Sequence, residues 1–496
     1  MKYWNKRSTV ALTAALMGST AAYADITAEE VWQGWTSYYA DLGQTISVGS
    51  KTMQADTLVI SDAVLAAVVP DGTFNLTIAE IRLRELGDGR VEVTMSEEIP
   101  FRMISKPATG EDVDLGMKIT HSGLSTIVSG DTVDSTYDFS AARMAFFIDG
   151  MTVDDAEVPL KLDMILGGTN GTYRMVKDDA RRVTSDLRAD TLDFSMSAQD
   201  PEGKGNFVMS GDLTGLAGTS VATIPSGLDM SDMNAMLQAG MDASGTFGFS
   251  GGGYTMDFAD GNETVSVVSN GEGGALNFAL SKAGLEYGVS GGANQVSIKA
   301  SAFPVPIDVS LASSAFKLAM PVSKGDADQP FAALLKLVDL KVSDGLWNMI
   351  DPGMQLPRDA ATLIVDVTGA AKLFLDIMDP TNAQKLDSQP PGELKSLDIN
   401  EVKLSAAGAE LTGTGAMTFK NEGPVPQPVG AIDLQLIGGN GLIDKLVGMG
   451  FVPEDQAMGA RMMMGLFAVV TGEDTLTSKI EFKEDGAILA NGQRIQ

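Results

Sequence analysis

Cysteine is absent from all 496 residues, and histidine occurs once, as His121. Without a thiol the chain can build no disulfide scaffold, cysteine-ligated zinc site, iron–sulfur cluster or thiol nucleophile, and it offers no cysteine for a lipid anchor. A single imidazole likewise excludes multi-histidine metal centres. Basic residues are scarce too: 35 Lys and Arg face 65 Asp and Glu, for a net charge of −30. Nucleic-acid binding draws on cations that displace counterions from phosphates, so this balance argues against a nucleic-acid partner. Long apolar runs are also missing. Beyond the N-terminus the longest candidate, residues 458–470, is interrupted by Arg461 and falls short of the ~20 residues that span a bilayer.

What is present begins with an export signal. Lys2, Lys6 and Arg7 supply a positive start, residues 10–17 a short apolar run, and Ala22-Tyr23-Ala24 a small-residue cleavage site. Cleavage is expected after Ala24, making residues 1–24 a signal peptide and leaving a mature chain of charge −33. The expectation is a soluble protein of a Gram-negative periplasm with no transmembrane segment in its mature part. An outer-membrane barrel is the competing exported β fold; the ending Arg494-Ile495-Gln496 lacks the aromatic close common in barrels, and interior helical segments argue against one.

Residues 27–42 predict a helix. Thr27 and Glu30 have capping-box spacing, and Val31, Trp35, Tyr38 and Leu42 recur on one face, widened by Trp32 and Tyr39. Such an aromatic stripe could stack sugars or sit at a membrane interface, but helical spacing favours a docked core face. From residue 45 to about 224 the period becomes two, as in Val91/Val93/Met95, Leu160/Leu162/Met164/Leu166 and Leu192/Phe194/Met196, the pattern of half-buried antiparallel strands. The apolar phase slips by one residue near Ala79 and again at residues 313–315, which predicts β-bulges and a bent sheet. Residues 229–239 predict a short helix opened by Ser231 and closed by Gly240. The glycine-dense stretch 240–292 keeps the strand period through Phe247, Phe249, Tyr254, Met256 and Phe258, so turns and bulges are expected there rather than a linker. Residues 331–340, 441–449 and 454–470 read as helices and 476–482 as a last strand.

No βαβ rhythm is visible, which counts against parallel α/β folds. Val158-Pro-Leu-Lys-Leu-Asp-Met is echoed in outline by Val305-Pro-Ile-Asp-Val-Ser-Leu, favouring two similar halves, residues 25–240 and a helix-bearing 241–496. The fold class expected is mainly β (α+β): large, strongly curved antiparallel sheets with a docked N-terminal helix and several C-terminal helices.

Motifs with chemical precedent fail on context. Gly248-Phe-Ser250-Gly-Gly252 and Gly288-Val-Ser290-Gly-Gly292 fit the esterase pattern, but no histidine follows either serine. His121 precedes Ser290, as a trypsin-like order would require, yet neither has that family's surroundings. Ser314 and Lys317 have the spacing of penicillin-binding enzymes, which need both on one helical turn; a strand sends them to opposite faces. Gly438-Gly439-Asn440-Gly441 lies between a strand and a helix, where phosphate loops sit, but Lys445 is a turn too far for a P-loop. Asp257, Asp260, Asn262 and Glu263 fit no calcium-loop spacing, and His121 reads as an ordinary strand-end side chain. Met462-Met463-Met464 reads as core filling, with a lipid groove as the alternative. No catalytic, cofactor-binding or metal residue is therefore assigned, and no cofactor is expected.

The C-terminal third carries a resemblance. Gly345-Leu-Trp347-Asn-Met-Ile-Asp351-Pro352, Leu356-Pro357-Arg358-Asp359, Leu411-Thr-Gly413-Thr-Gly415, Gly438-Gly-Asn-Gly-Leu-Ile-Asp-Lys-Leu, Pro453-Glu-Asp-Gln-Ala-Met-Gly-Ala-Arg-Met-Met-Met464 and Leu489-Ala-Asn-Gly492 resemble the exported alphaproteobacterial family of domain of unknown function 2125. The likeness extends over most of the mature chain and is strongest in residues 340–496. It implies an exported envelope protein and transfers no activity or site. The closing strand, glycine turn, helix and final strands are more distantly similar to AsmA-like envelope proteins, which are associated with lipid movement and outer-membrane assembly. With cleavage expected after Ala24, the mature chain is expected to lack the membrane anchor those proteins usually keep.

The reading that follows is a non-enzymatic envelope protein whose sheet shelters lipid or another apolar ligand, or supports outer-membrane assembly, with lipid or envelope components as partners. A carboxylate-based cell-wall glycan hydrolase and a purely structural or adhesive protein are the alternatives.

Overall fold

The computed structural model describes residues 25–496 other than 42, 70, 71, 108, 109, 201, 202, 204, 227–231 and 424. The signal-peptide reading of residues 1–24, and Leu42 and Ser231 of the two predicted helices, lie outside the described residues.

The chain opens with α1 (Ala28–Asp41) and runs through β1 (Thr57–Val69), β2 (Gly72–Glu85), β3 (Val91–Met95), β4 (Glu98–Ser105), β5 (Val113–Ser122), β6 (Ser125–Gly130), β7 (Asp134–Val153), β8 (Leu160–Lys177), β9 (Ala180–Gln199) and β10 (Gly205–Pro225). After α2 (Met233–Gln238) come β11 (Asp242–Asp260), β12 (Glu263–Ser281), β13 (Gly284–Gly291), β14 (Asn294–Ala300), β15 (Ile307–Leu311), β16 (Ser313–Met320) and β17 (Gln329–Val342). The remainder alternates α3 (Asp344–Ile350), β18 (Ala361–Leu373), α4 (Ala383–Ser388), β19 (Gly392–Ala406), β20 (Ala409–Lys420), β21 (Gln427–Ile437), α5 (Gly439–Gly448), α6 (Glu454–Phe467) and β22 (Thr475–Phe482). Short pieces at 45–47, 50–54, 156–157, 469–472, 488–490 and 493–494 extend the edges. The architecture is mostly β: one large antiparallel sheet with few helices.

Capping fixes the first helix. The Thr27 amide and hydroxyl both donate to Glu30 Oε2, at 2.9 and 2.8 Å, and the Glu30 amide donates back to Thr27 Oγ1 at 3.3 Å. Ala28, Val31 and Trp32 are buried in one cluster with Leu58, Ile60, Leu83, Val91, Val93 and Val128 of β1, β2, β3 and β6. A second, smaller cluster joins Leu237 of α2 to Leu280 and Val322.

The apolar phase slips are real, and they recur across the sheet. In β8 the residues facing one side are 160, 162, 164 and 166, then 169, 171, 173 and 175, and the change of phase falls at Gly168, whose φ is 61°. Asp62 in β1 (φ 51°), Gly215 in β10 (61°), Gly273 in β12 (40°) and Asp339 in β17 (54°) mark the same event. Opposite Asp62 stands Ala79, with Ser61↔Glu80 and Ala63↔Ile78 pairing on either side in unchanged register. Opposite Asp339 stands Ala312, between Ser310↔Lys341 and Ser313↔Val338. A left-handed residue turns the pleat over without adding a residue between those two strands. The extra residue of a true bulge sits on the neighbouring side, where β17 shifts against β18 between Leu337 and Leu340.

One predicted helix is corrected. Residues 331–340 lie in β17. Phe331, Leu334, Leu335, Leu337 and Val338 fit a period of 3.6, but the strand is apolar on both faces and changes phase at Asp339, so its alternation is masked. Within the helix predicted over 229–239 the described residues form α2, capped by the Asp232 side chain on the Ala235 amide at 2.9 Å. The helix predicted over 454–470 stops at Phe467, and Val469–Gly472 is a strand.

Candidate functional site: an open apolar face

Directly opposed residues of an antiparallel pair share a face, so following the register shows what that face carries. One unbroken row runs Leu58, Leu83, Val93, Thr126, Phe139, Gly171, Leu187, Gly218, Phe247, Leu276, Val289, Phe316, Leu335, Val365, Val402, Gly413, Leu434 and Ser478. Its start is buried beneath α1. Its middle is open: Leu187, Phe247, Leu276, Val289, Phe316 and Leu335 expose 37–45% of their surface. The adjacent row carries Phe278, Tyr287 and Leu318, exposed to a similar degree. Contiguous apolar surface of this kind marks a binding face, whereas scattered exposed hydrophobics do not.

Hollows lie on the face. A cavity of about 790 Å³ separates the aromatic side of α1 (Trp35, Tyr38, Tyr39) from Leu65, Leu76 and Ile78 of β1 and β2 and Tyr173, Met175 and Lys177 of β8. A trough of about 580 Å³ is floored by the glycine-dense strands and walled by Phe194, Leu213, Phe247, Phe249, Tyr254 and Leu276. Glycines give the rings room: an added Cβ would lie 2.7 Å from the Phe194 ring at Gly211 and 3.0 Å from the Phe249 ring at Gly274. The glycine-rich stretch is therefore strand, with its aromatics lying over glycines of the neighbouring strand.

Titratable groups at the cavity feel its dryness. Burial, with Tyr38 nearby, pushes the Tyr173 phenol up to about 12, and burial also raises Tyr39. Lys177 is lowered by burial and by the neighbouring Arg181 charge.

The residues weighed for catalysis are not brought together. His121 in β5 bonds the Ser96 carbonyl through Nε2 at 2.9 Å. Ser250 is in β11 and Ser290 in β13, so β7 through β12 stand between His121 and Ser290 in the sheet. Ser314 shares the apolar face with Phe316, whereas Lys317 points to the other and pairs with Glu286 at 3.0 Å. Asp257, Asp260 and Glu263 lie along the β11–β12 hairpin with Asn262 in its turn, and among the described residues no acidic or histidine cluster has metal-site geometry. The amides of Asn440 and Gly441, which a phosphate loop would leave open, donate to the Asp474 carboxylate at 3.0 and 2.9 Å. The methionine run is corrected: Met462 is 71% exposed and Met463 48%, so neither fills a core. Among the described residues no helix is long and apolar enough to cross a membrane.

Residues 251–492 match the family model described as an uncharacterized protein conserved in bacteria, DUF2125. Through that region the chain belongs to this family. No curated protein and no solved structure matches it. The DUF2125 region contains most of the residues lining the trough, and two of the motifs that carry the resemblance build turns. Asp351 accepts from the Leu356 amide at 2.7 Å, while Arg358 reaches Asp344 at 2.8 Å and Asn348 at 2.7 Å on α3. Asn491 accepts from the Lys479 amide at 2.8 Å and donates to the Phe467 carbonyl at 2.9 Å, tying the last strands to the end of α6.

Cross-strand rows were out of reach of sequence reasoning. Each strand shows its own apolar face, but which residue meets which depends on turn lengths and register. The aromatic–glycine spacing in residues 240–292 was the available signal.

Proposed function

We propose that this is a non-enzymatic protein of the cell envelope whose curved sheet shelters the hydrocarbon of a lipid. The observation that carries the reading is the open apolar row from Leu187 to Leu335. Water-exposed Phe and Leu in register across adjacent strands are costly to leave bare, at roughly 25 cal/mol per Å², and an acyl chain is the occupant whose length and featureless surface match a stripe without polar anchors. Left-handed residues repeated on β1, β8, β10, β12 and β17 support curvature, because each phase change bends its strand while keeping the apolar side inward. The aromatic side of α1 then closes one end.

The compartment is the periplasm, reached by cleavage after Ala24, where lipids must cross water between two membranes. A role in outer-membrane assembly would use the same face. Native mass spectrometry of protein purified from the periplasm tests the reading: co-purifying lipid supports it, and repeated absence of lipid rejects a carrier. Intact mass should begin at Asp25.

A further inference from the structure

The cavity beneath α1 has a cation in its lining, Lys177, and a second, Arg181, next to it. Lys177 and Arg181 are directly opposed in the β8–β9 register, and like charges so placed repel. Lys177 lines the cavity. The Arg181 guanidinium lies 4.8 Å from the centre of the Tyr38 ring and binds Asp41 through Nη2 at 2.7 Å. Its side chain is 14% exposed, and its Nε is buried without a partner. The acids lining the same cavity are committed elsewhere: Glu30 to Thr27, and Asp131 to the amides of Val133 and Asp134 at 2.7 and 2.8 Å. Among the described residues Asp41 pairs with Arg181, and no acid forms an ion pair with Lys177. In a chain of net charge −30, a surplus cation and an orphaned donor beside an apolar cavity are a specific arrangement. A buried donor without a partner is costly unless something fills the place.

We propose that this cavity holds a single-chain amphiphile whose anionic head, a carboxylate or a phosphate, pairs with Lys177, beside Arg181, while its hydrocarbon lies between α1 and the sheet. This rests on the lipid-sheltering reading and adds the head-group chemistry to it. The volume of about 790 Å³ falls within the ~300–1,000 Å³ of small-molecule sites. The burial that lowers Lys177 fits a lysine awaiting a counter-charge.

The test titrates the purified exported protein with three probes of one chain length: palmitate, hexadecyl phosphate and hexadecanol. One or both anions should bind at least about tenfold more tightly than the alcohol, the scale of one charge-assisted hydrogen bond, and which anion wins separates a fatty-acid from a phosphate head. Lys177→Met should bring that anion to within about twofold of the alcohol without changing alcohol binding, and Lys177→Arg should keep the preference. Near-UV circular dichroism checks the fold of both variants, with Lys177→Gln replacing the Met variant if that one misfolds. Equal binding of all three probes overturns the head-group site and leaves the apolar shelter standing. Anion preference surviving in a folded Lys177→Met or Lys177→Gln protein overturns the assignment of Lys177 as the head-group partner. Failure of every probe to bind overturns both readings.

Discussion

Phe316 stands directly opposite Val289 in the β13–β16 register, and both remain open to solvent, 45% and 40% exposed. Because each is already half in water, a polar replacement removes little native burial. Phe316→Asp should change stability by no more than about 0.5–1 kcal/mol yet cut the fluorescence of the neutral apolar dye N-phenyl-1-naphthylamine severalfold. Lys317→Gln, one residue along on the opposite face, should leave dye binding unchanged. Equal effects of the two substitutions would remove the face from consideration.

Gly215 tests the device that turns the pleat over. Its φ is +61°, and a Cβ added there would lie 2.0 Å from Ser250 Oγ. Gly215→Ala therefore meets a side-chain clash and a left-handed backbone that alanine disfavours by roughly 1–2 kcal/mol. Adding Ser250→Gly should relieve the clash alone. Chemical denaturation should show the single variant destabilised by at least about 1 kcal/mol and the double variant recovering part of the loss. Full recovery would mean that the backbone conformation carries no cost.

Much of this fold was legible residue by residue. The Thr27–Glu30 box and the alternation of Leu160 to Leu166 follow from local geometry, which a sequence records directly. Residues 331–340 were misread because β17 is apolar on both faces, and only its neighbours β16 and β18 reveal that it is a central strand. Ser250 and Ser290 match an esterase pattern because glycine crowds the strands that floor the trough. The opposition of Lys177 and Arg181 was hidden in the short β8–β9 hairpin, and the Phe247–Leu276–Val289–Phe316 row needed the register of four strands.

Asp474 serves as the internal anion of the turn into α5. Its carboxylate accepts from the Asn440 and Gly441 amides, and its carbonyl accepts from the Gly438 amide at 2.8 Å. Burial pushes the carboxyl up, but the Gly441 and Asn440 amides more than offset this and hold it below its ordinary value. Asp474 has φ 43°, which asparagine tolerates better than alanine. Asp474→Asn should cost about 1 kcal/mol, on the scale of a lost helix cap, and Asp474→Ala more. Thermal melts of the two variants rank these effects, and the reverse order would reject backbone strain as a contributor. Adding phosphate should not stabilise the native protein, because those amides are already taken.

Asp351 predicts how one part of the DUF2125 region responds to acid. The Leu356 amide holds its carboxyl below the usual range; burial opposes this, and the Gln355 amide and the Arg358 charge reinforce it. A carboxyl with a depressed folded-state value contributes stability that is fully present above its unfolded pKa of ~3.9. That contribution is lost as pH falls through the folded value. Asp351→Asn keeps the side-chain size and removes the charge, so its melting temperature should fall below that of the wild type at pH 7. The gap should then narrow as pH is lowered past about 4, where the carboxyl of the unfolded wild-type chain begins to take up its proton while the folded one still resists it. Melting curves of both proteins between pH 7 and 3 measure this, and a gap constant over the whole range would show that the Leu356 contact gains nothing from the charge.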